Sequence, residues 1–222
     1  MKIAVVDYGM GNLRSVTHAL EHVAPEARIV LTSDAAEIAG ADKVVFPGQG
    51  AMRDCVRELD RRELRGAVLE AARGKPFLGI CVGAQLLFDS SEEGAGAGER
   101  TAALGVFPGQ VLRFPAERMR SDAGERLKVP HMGWNEVRQV QAHPLWEGIA
   151  DGARFYFVHS YYMQTPDPAL VAGESEYPFA FTVAVARANI FATQFHPEKS
   201  HQAGLRLLAN FAAWDGTVQP AR

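Results

Sequence analysis

The segment PFLGICVGAQLLF, residues 76–88, decides the predicted fold and raises the question of function. An apolar run leads into Gly79-Ile80-Cys81-Val82-Gly83, and a run of helical character follows it. This pattern matches the nucleophile elbow, a sharp turn between a strand and a helix, with Cys in the place of Ser. Glycines on both sides of the turn avoid backbone collisions, and the start of a helix favours a thiolate. A buried packing cysteine fits these five residues about as well, so other parts of the sequence must decide.

The first half of the chain alternates short apolar runs with stretches of helical period, which is typical of βαβ units. Its predicted strands are KIAVVD (2–7), RIVLT (28–32), KVVF (43–46) and KPFLGI (75–80). Helices are predicted after YGMGN, with Asn12 as the cap, and at 52–74 and 82–89. We therefore expect a single α/β domain over residues 1–222, with a mostly parallel central sheet flanked by helices.

The second half predicts an additional antiparallel strand region. Its strand-like runs are QVLRF (110–114), RFYFVHSYYMQ (154–164), FAFTVAVA (179–186) and IFATQF (190–195). ARAN (186–189) predicts a hairpin turn, and SHQAGLRLLANFAAW (200–214) predicts a closing amphipathic helix. Residues 90–103 predict a flexible loop, and Ala116 to Lys128 predicts a solvated, charged excursion.

Composition narrows the class of protein. The 222 residues carry a formal net charge of −3, and the basic residues are scattered, which argues against a nucleic-acid partner. Two cysteines, without Cys or His neighbours at zinc-ligand spacing, predict neither a disulfide framework nor a metal site. No run has the length of a membrane span, and the first residues lack the apolar region of a signal peptide. We expect a cytoplasmic protein without metal or cofactor.

A cysteine nucleophile needs an oxyanion hole. In elbow enzymes it comes from the N–H after the nucleophile and from the loop after strand three, here Val82 and the segment Pro47-Gly48-Gln49-Gly50. The glycines let the backbone turn its N–H groups inward and let a substrate approach. A plain turn explains PGQG alone about as well, and its place after strand three favours the functional interpretation.

The segment QFHPEKS (194–200) supplies a candidate base. His196 and Glu198 are two residues apart on a segment predicted to be extended, so their side chains share a face and Glu198 can orient the imidazole. Without Cys81, a surface His and Glu at a strand end would be the better interpretation. Other histidines are expected to be solvated, capping or core residues (His18, His22, His131, His143, His159, His201), and Cys55 is expected to pack in the core.

With Cys81, PGQG and FHPEKS together, the chain resembles the class I (triad) glutamine amidotransferases from Lys2 to about Trp214. The resemblance implies that Cys81 attacks the glutamine carboxamide and that His196, oriented by Glu198, protonates the departing ammonia. It also implies a glutamine pocket, and the residues that match it are Gly50, Gln85, Ser160 and Tyr161.

Within that family, the sequence GAQ at 83–85 points away from the many members with GHQ. DYGMGN, LLFDSSEEG, VPHMGWN and FYFVHSYY resemble the glutaminase subunits of imidazole glycerol phosphate synthases, which act in histidine biosynthesis. The resemblance implies a heterodimer with a TIM-barrel cyclase subunit that receives ammonia through an internal channel. The residues that would face the cyclase are Asn12, Trp134, Tyr156 and Lys199. Core packing is the plainer interpretation of Trp134 and Tyr156.

Three departures from the family pattern stand out. Ala84 replaces a commonly larger residue, Gln49 occupies an oxyanion-loop position often held by Val, and 116–128 is longer than in compact members. Gln49 matters most, because the resemblance implies that its peptide reorients before it donates to the oxyanion.

Alternative functions remain at this point. A thiol hydrolase of the α/β-hydrolase type would place its acid upstream, at Asp151 or Asp167. Cysteine hydrolases of the chaperone and protease-like elbow family usually have His where this chain has Val82. A non-enzymatic binding module would lack Cys, His or Glu, and all three are present. Another amidotransferase, such as the glutaminase of pyridoxal phosphate synthesis, is a further alternative.

Overall fold

A computed structural model describes residues 1–94, 99–121 and 124–218. The strands in chain order are β1 (Lys2–Val6), β2 (Arg28–Thr32), β3 (Lys43–Gly48), β4 (Phe77–Cys81), β5 (Phe88–Ser91), β6 (Thr101–Ala102), β7 (Phe107–Arg113), β8 (His131–Glu136), β9 (Arg138–Gln139), β10 (Arg154–His159), β11 (Tyr161–Gln164), β12 (Val171–Glu176), β13 (Ala180–Arg187) and β14 (Ile190–Thr193). The helices are α1 (Leu13–Val23), α2 (Ala35–Ala39), α3 (Met52–Arg61), α4 (Arg65–Gly74), α5 (Val82–Gln85) and α6 (His201–Ala213).

The parallel half of the main sheet has the strand order β2-β1-β3-β4-β14. Every residue of β3, β4 and β14 is buried, as expected for parallel strands covered on both faces. Helix α1 packs against α6, and α2 packs against α4. The carboxyl ends of β3 and β4 meet at one edge, where Gly48 is the register partner of Cys81.

The antiparallel half continues from β14 through β13, β11 and β7, and β5 then joins β7 in parallel. Strand β12 pairs with the other edge of β13 and carries the short β9. The turn between β13 and β14 lies at Ala188, whose positive φ of 51° fits the predicted hairpin turn at ARAN. The α/β class with a mostly parallel sheet and an added antiparallel region is therefore confirmed.

Strands β8 and β10 form a separate antiparallel pair, here called the β8–β10 ribbon. Its residues alternate in burial, as a two-residue period requires. The inner face consists of His131, Gly133, Asn135, Phe155, Phe157 and His159, and the outer face consists of Met132, Trp134, Tyr156 and Val158. Met132 is 66% exposed and Trp134 is 38% exposed, so the outer face presents apolar surface.

Three local predictions were wrong. The helix expected over 82–89 ends at Gln85, and Phe88 already lies in β5, because Leu86, Leu87 and Phe88 are all fully buried and Phe88 pairs with Phe107 of β7. Strand β3 runs on through Gly48 rather than ending at Phe46. The loop expected over 90–103 contains the end of β5 and all of β6, and its residues 95–98 lie outside the described ranges.

The charged excursion at 116–128 is not wholly solvated. It begins with a 3₁₀ turn at Ala116–Arg118, and the Met119 side chain is buried. The Arg118 guanidinium lies 4.0 Å from the centroid of the Phe179 ring, which ties the excursion to the main sheet. Residues 122 and 123 lie outside the described ranges. Within the described residues, no helix is long and apolar enough to cross a membrane.

Candidate active site

Cys81 lies on a strained turn at the end of β4. Its backbone angles are φ 56° and ψ −116°, which non-glycine residues rarely adopt, and α5 begins at the next residue. A Cβ added to Gly83 would lie 1.9 Å from the Phe46 carbonyl oxygen, so only glycine fits there. At Gly79 an added Cβ would lie 3.1 Å from the Ala192 side chain. The neighbouring atoms therefore exclude a side chain at Gly83 and leave little room for one at Gly79. Helix α5 is a single turn, shorter than expected.

His196 and Glu198 form a buried pair beside this turn. The Nδ1 of His196 lies 2.9 Å from Oε1 of Glu198, and both side chains are at most 5% exposed. They come together through a 3₁₀ turn at Pro197–Lys199 and not through the extended segment expected from sequence. Asn12 donates its side-chain amide to the same Oε1 at 3.3 Å, so its side chain contacts the Glu198 carboxylate and makes no capping hydrogen bond to α1.

The charge of His196 is set by its neighbours. Burial disfavours the imidazolium, but the negative charges and hydrogen bonds of Cys81 and Glu198 outweigh it and raise the pKa of His196 to about 10. Its Nε2 is buried and has no well-aligned partner among the described residues, while Cys81 is close enough for its thiolate to act on this pKa. The arrangement favours a protonated His196 imidazole beside the Cys81 sulfur at neutral pH.

The loop after β3 lies directly against the elbow. A Cβ added to Gly48 would be 2.6 Å from the Gly83 nitrogen and 2.9 Å from the Val82 carbonyl carbon. Gly48 and Val82 are thus held together beside Cys81. Gln49 is exposed, and its carbonyl oxygen accepts from the Cys55 thiol at 3.4 Å. Gly50 has a φ of 98°, which fits glycine at this position.

The family model of the class-I glutamine amidotransferases matches residues 4–213, nearly the whole chain. The chain belongs to the class I glutamine amidotransferases. An imidazole glycerol phosphate synthase subunit HisH of Thiobacillus denitrificans is 64% identical over 213 residues, which cover 96% of this chain and 91% of the relative. The HisH subunit of Aromatoleum aromaticum is 63% identical over 212 residues, 96% of this chain and 98% of the relative. Within the amidotransferases, the chain belongs with these HisH subunits.

Solved structures agree on the fold. The structure of PurLQS from Thermotoga maritima superimposes with a TM-score of 0.69 at 18% identity, over 96% of this amidotransferase and 97% of that chain. At such low identity the likeness concerns the fold alone, and it matches the sheet described above.

The residues expected in the glutamine pocket differ in their burial and contacts. Gln85 is buried, and its Nε2 donates to the Tyr161 carbonyl oxygen at 3.2 Å and to Oε1 of Gln194 at 2.9 Å. Ser160 lies between β10 and β11, and its carbonyl oxygen accepts from the Phe114 N–H. Burial raises the pKa of the partly exposed Tyr161 phenol, and the Glu93 charge adds to the shift.

Three of the four expected partner-facing residues form one cluster in this amidotransferase. The Trp134 and Tyr156 rings lie 6.1 Å apart on the outer face, and Nζ of Lys199 lies 5.8 Å from the Tyr156 centroid. The Trp134 ring also stacks on His201 at 4.9 Å. Asn12 lies at the triad carboxylate instead. Core packing, the plainer interpretation of Trp134, does not hold for a ring that is more than one-third exposed.

The alternative acids of an α/β-hydrolase have other partners. A carboxylate oxygen of Asp151 accepts from the Gln139 N–H, and one of Asp167 accepts from the Ala169 N–H at a 3₁₀ turn. Neither is hydrogen-bonded to His196, whose imidazole contacts Glu198. The α/β-hydrolase alternative is therefore wrong, because neither of the acids that it requires contacts His196.

Sequence reasoning missed three residues at this site. Gln194 donates to the Cys81 sulfur at 3.9 Å. Its place in QFHPEKS, two residues before His196, was the signal that could have identified it. Ser200 accepts from the Tyr156 N–H and donates to the His196 carbonyl oxygen, and the His196 N–H donates to the Tyr156 carbonyl oxygen. Tyr8 is buried beside Gly48, and burial raises its pKa well above the usual range. The contacts of Ser200 could have been anticipated, because Ser200 is the last residue of the FHPEKS motif.

Proposed function

We propose that the chain is the glutaminase subunit of an imidazole glycerol phosphate synthase, acting through Cys81, His196 and Glu198. The observation that supports this most directly is the buried His196–Glu198 pair beside a cysteine held on a positive-φ turn. Family membership over residues 4–213 and HisH relatives at 63–64% identity support the same activity. We further propose that residues 1–222 act as one amidotransferase domain.

The first half-reaction follows from the charges of the site. The Cys81 thiolate adds to the carboxamide carbon of glutamine, and the carbonyl oxygen becomes an oxyanion held by the N–H groups of Val82 and Gln49 in the loop from Gly48. The His196 imidazolium gives its proton to the leaving nitrogen, the C–N bond breaks, and ammonia departs. Positioned proton transfer contributes on the order of 10²- to 10⁴-fold. An oxyanion donor contributes roughly 3 kcal/mol.

The second half-reaction regenerates the thiolate. Neutral His196 takes a proton from water as the oxygen attacks the γ-glutamyl thioester carbon. The C–S bond then breaks, releasing glutamate and leaving Cys81 paired with the imidazolium. Glu198 stabilises that cation throughout and keeps the imidazole Nδ1 protonated. Gly50, Gln85, Ser160 and Tyr161 are proposed to surround the glutamine.

We propose that the ammonia passes to a cyclase subunit bound through the outer face. Exposed Met132 and Trp134, with Tyr156 beside them, are of the aromatic and methionine types that are enriched at protein interfaces, and Lys199 lies against the Tyr156 ring. The names of the relatives, synthase subunits, support an assembly of this kind. Two free cysteines fit a reducing compartment, and a cytoplasmic location is part of this proposal.

The decisive experiment mixes the full chain with a purified cyclase subunit. We expect glutamate release to be slow with the chain alone and much faster with the cyclase and its nucleotide substrate, together with formation of imidazole glycerol phosphate. Glutamate release and product formation are followed in the same sample. Glutaminase activity indifferent to the cyclase and its nucleotide would refute the assignment.

A further inference from the structure

We propose that Gln194 is a positioning residue for the Cys81 sulfur, and that a buried histidine pair beneath the β8–β10 ribbon holds the main-chain carbonyl that fixes, through Gln85, the direction of its amide. This inference rests on the proposed function, because it concerns the reactivity of the proposed nucleophile.

The Gln194 side chain is fully buried just after β14, one strand away from β4. Its Nε2 lies 3.9 Å from the Cys81 sulfur, and its Oε1 accepts from Gln85 at 2.9 Å. The two ends of an amide differ, so this acceptor contact decides that the N–H end faces the sulfur. A donor aimed at the sulfur favours the thiolate, whereas a reversed amide would place an oxygen against it.

The direction of the Gln85 amide is fixed in turn by a main-chain carbonyl. Its Nε2 donates to the Tyr161 oxygen at 3.2 Å as well as to Gln194. Because a carbonyl oxygen only accepts, it must face the NH₂ end of Gln85. The same Tyr161 oxygen accepts from Nδ1 of His159 at 2.8 Å, which occupies its second lone pair and holds it in place.

The histidine pair completes the chain of donors. His159 donates through Nδ1, and its neutral ring can therefore only accept at Nε2, where Nδ1 of His131 lies 2.9 Å away. His131 must then donate through Nδ1 and accept at Nε2, where the Asn135 amide lies 3.3 Å away. Burial lowers the pKa of His131 to about 4 and that of His159 to about 3, so both rings are neutral at neutral pH.

This network joins the inner face of the β8–β10 ribbon to the nucleophile without any charged group. His131 and His159 are register partners in the ribbon, and the next residue after His131 is Met132 of the outer face. The Cys81 sulfur thus has the His196 imidazolium as one neighbour and an oriented neutral donor as another. The His196–Glu198 pair supplies the proton, and Gln194 holds the sulfur and stabilises its negative charge.

The test measures the rate at which iodoacetamide alkylates Cys81 in the full chain as a function of pH, with the modified peptide identified by mass spectrometry. Gln194→Glu keeps an oxygen for Gln85 and sets a second oxygen against the sulfur. Gln194→Met removes the donor without adding a charge. The matched control is Gln164→Glu, an exposed amide on β11 whose oxygen also accepts from a glutamine. Circular dichroism confirms folding of each variant.

We expect the pH midpoint of alkylation to rise by about one unit or more in Gln194→Glu, which is about a tenfold slower reaction below the midpoint. In Gln194→Met the rise should correspond to about threefold. The control should match the wild type. An unchanged midpoint in both folded Gln194 variants would overturn the proposal. A rise in Gln194→Glu alone would also overturn it, since the added charge and not the lost donor would then be the cause.

The histidine pair is tested with two further variants. His131→Phe keeps a ring for packing against Tyr177, at 4.2 Å, but removes the Nδ1 donor. His131→Asn retains a donor near the Nδ1 position. We expect the midpoint to rise in His131→Phe, by less than in Gln194→Met, and to return toward the wild type in His131→Asn. Equal midpoints in all three proteins would overturn the role of the pair.

Failure of this inference is distinct from failure of the proposed function. Alkylation requires neither glutamine nor the cyclase, so it reports on Gln194 even if the assembly had another activity. A wild-type complex that released no glutamate would refute the proposed function, and the alkylation midpoints would still decide on Gln194. In a complex that is active, Gln194→Met should lower kcat more than it raises KM, because the sulfur and not the substrate loses its contact.

Discussion

Two histidine regions of this molecule are equally buried and have opposite pKa shifts. His196, at the elbow, has its pKa raised to about 10, whereas His159, beneath the β8–β10 ribbon, has its pKa lowered to about 3. His196 lies between the Glu198 carboxylate and the Cys81 sulfur. His159 contacts a main-chain carbonyl and a neutral histidine among phenylalanine rings.

The difference shows that burial alone does not set the charge of a histidine. Desolvation opposes the proton in both regions, and only the region with nearby negative charges overcomes it. The elbow region with His196 is therefore suited to proton transfer. The neutral histidines beneath the β8–β10 ribbon instead keep the directions of their hydrogen bonds constant. Four predictions separate these two roles.

The largest effect should come from Cys81→Ala, which removes the sulfur from the charged region. We expect glutamine-dependent synthesis by the complex to fall on the order of 10⁴- to 10⁶-fold. Added ammonium should still support the cyclase at the wild-type rate, since the partner's own chemistry is untouched. Both activities are measured as imidazole glycerol phosphate formation. Loss of both would mean that Cys81 maintains structure or assembly.

The next effect should come from Glu198→Gln, which removes the carboxylate charge while keeping its shape. We expect glutaminase activity to fall on the order of 10²- to 10⁴-fold. A raised His196 pKa keeps the imidazolium until the pH approaches about 10, so loss of the neighbouring charge should move the alkaline decline of activity to lower pH. Glu136→Gln, at an exposed position of β8, serves as control. An unshifted alkaline decline would mean that Glu198 does not set the charge of His196.

A smaller effect should come from Trp134→Ala, on the outer face of the second region. Loss of an exposed aromatic anchor should weaken cyclase binding about tenfold or more, as measured by calorimetry. The alkylation midpoint of Cys81 in the free chain should not change, because Trp134 takes no part in the hydrogen-bond network. Leu31→Ala, a similarly exposed hydrophobic position at the β2 edge of the sheet, is the control. Equal binding by both variants would place the partner elsewhere.

The smallest effect for each residue should appear in the pH dependence of stability. In the folded chain, burial lowers the pKa of His131 and of His143 to about 4 and that of His159 to about 3. Below pH 6.5 these histidines therefore bind protons in the unfolded chain but stay neutral in the folded chain. Stability is therefore full above pH 6.5 and lost as the pH falls, by about 1 kcal/mol for each histidine between pH 6.5 and 5.5. The pKa of His196 is raised in the folded chain, so its contribution to the pH dependence of stability has the opposite sign. Urea unfolding at these pH values measures the loss, and stability that is constant down to pH 5.5 would contradict it.

Much of the fold followed from the sequence because its signals were local. The strands β1 to β4 are apolar runs bounded by turn residues, and of the two elbow glycines Gly83 is required by the Phe46 carbonyl while Gly79 has little room for a side chain. His196 and Glu198 are two residues apart, so any tight local geometry brings them together. These features could be predicted without knowing which distant segments meet.

Other features depend on distant contacts and could not be predicted. Leu86, Leu87 and Phe88 have a helical pattern, but pairing of β5 with β7 overrides it. Gln194 acquires its role from Gln85, 109 positions away in the chain. Met119 is buried, although its two chain neighbours, Arg118 and Arg120, are exposed charged residues. In each case the deciding partner lies far away in sequence.

The Tyr156 peptide has a consequence for assembly. Its side chain belongs to the outer face, while its N–H and C=O are bonded to Ser200 and to the His196 backbone. A partner that displaced β10 would displace the His196 backbone with it, and cyclase binding and glutamine binding would then be thermodynamically linked. By reciprocity, any factor by which the cyclase strengthens the binding of a glutamine analogue must equal the factor by which the analogue strengthens cyclase binding.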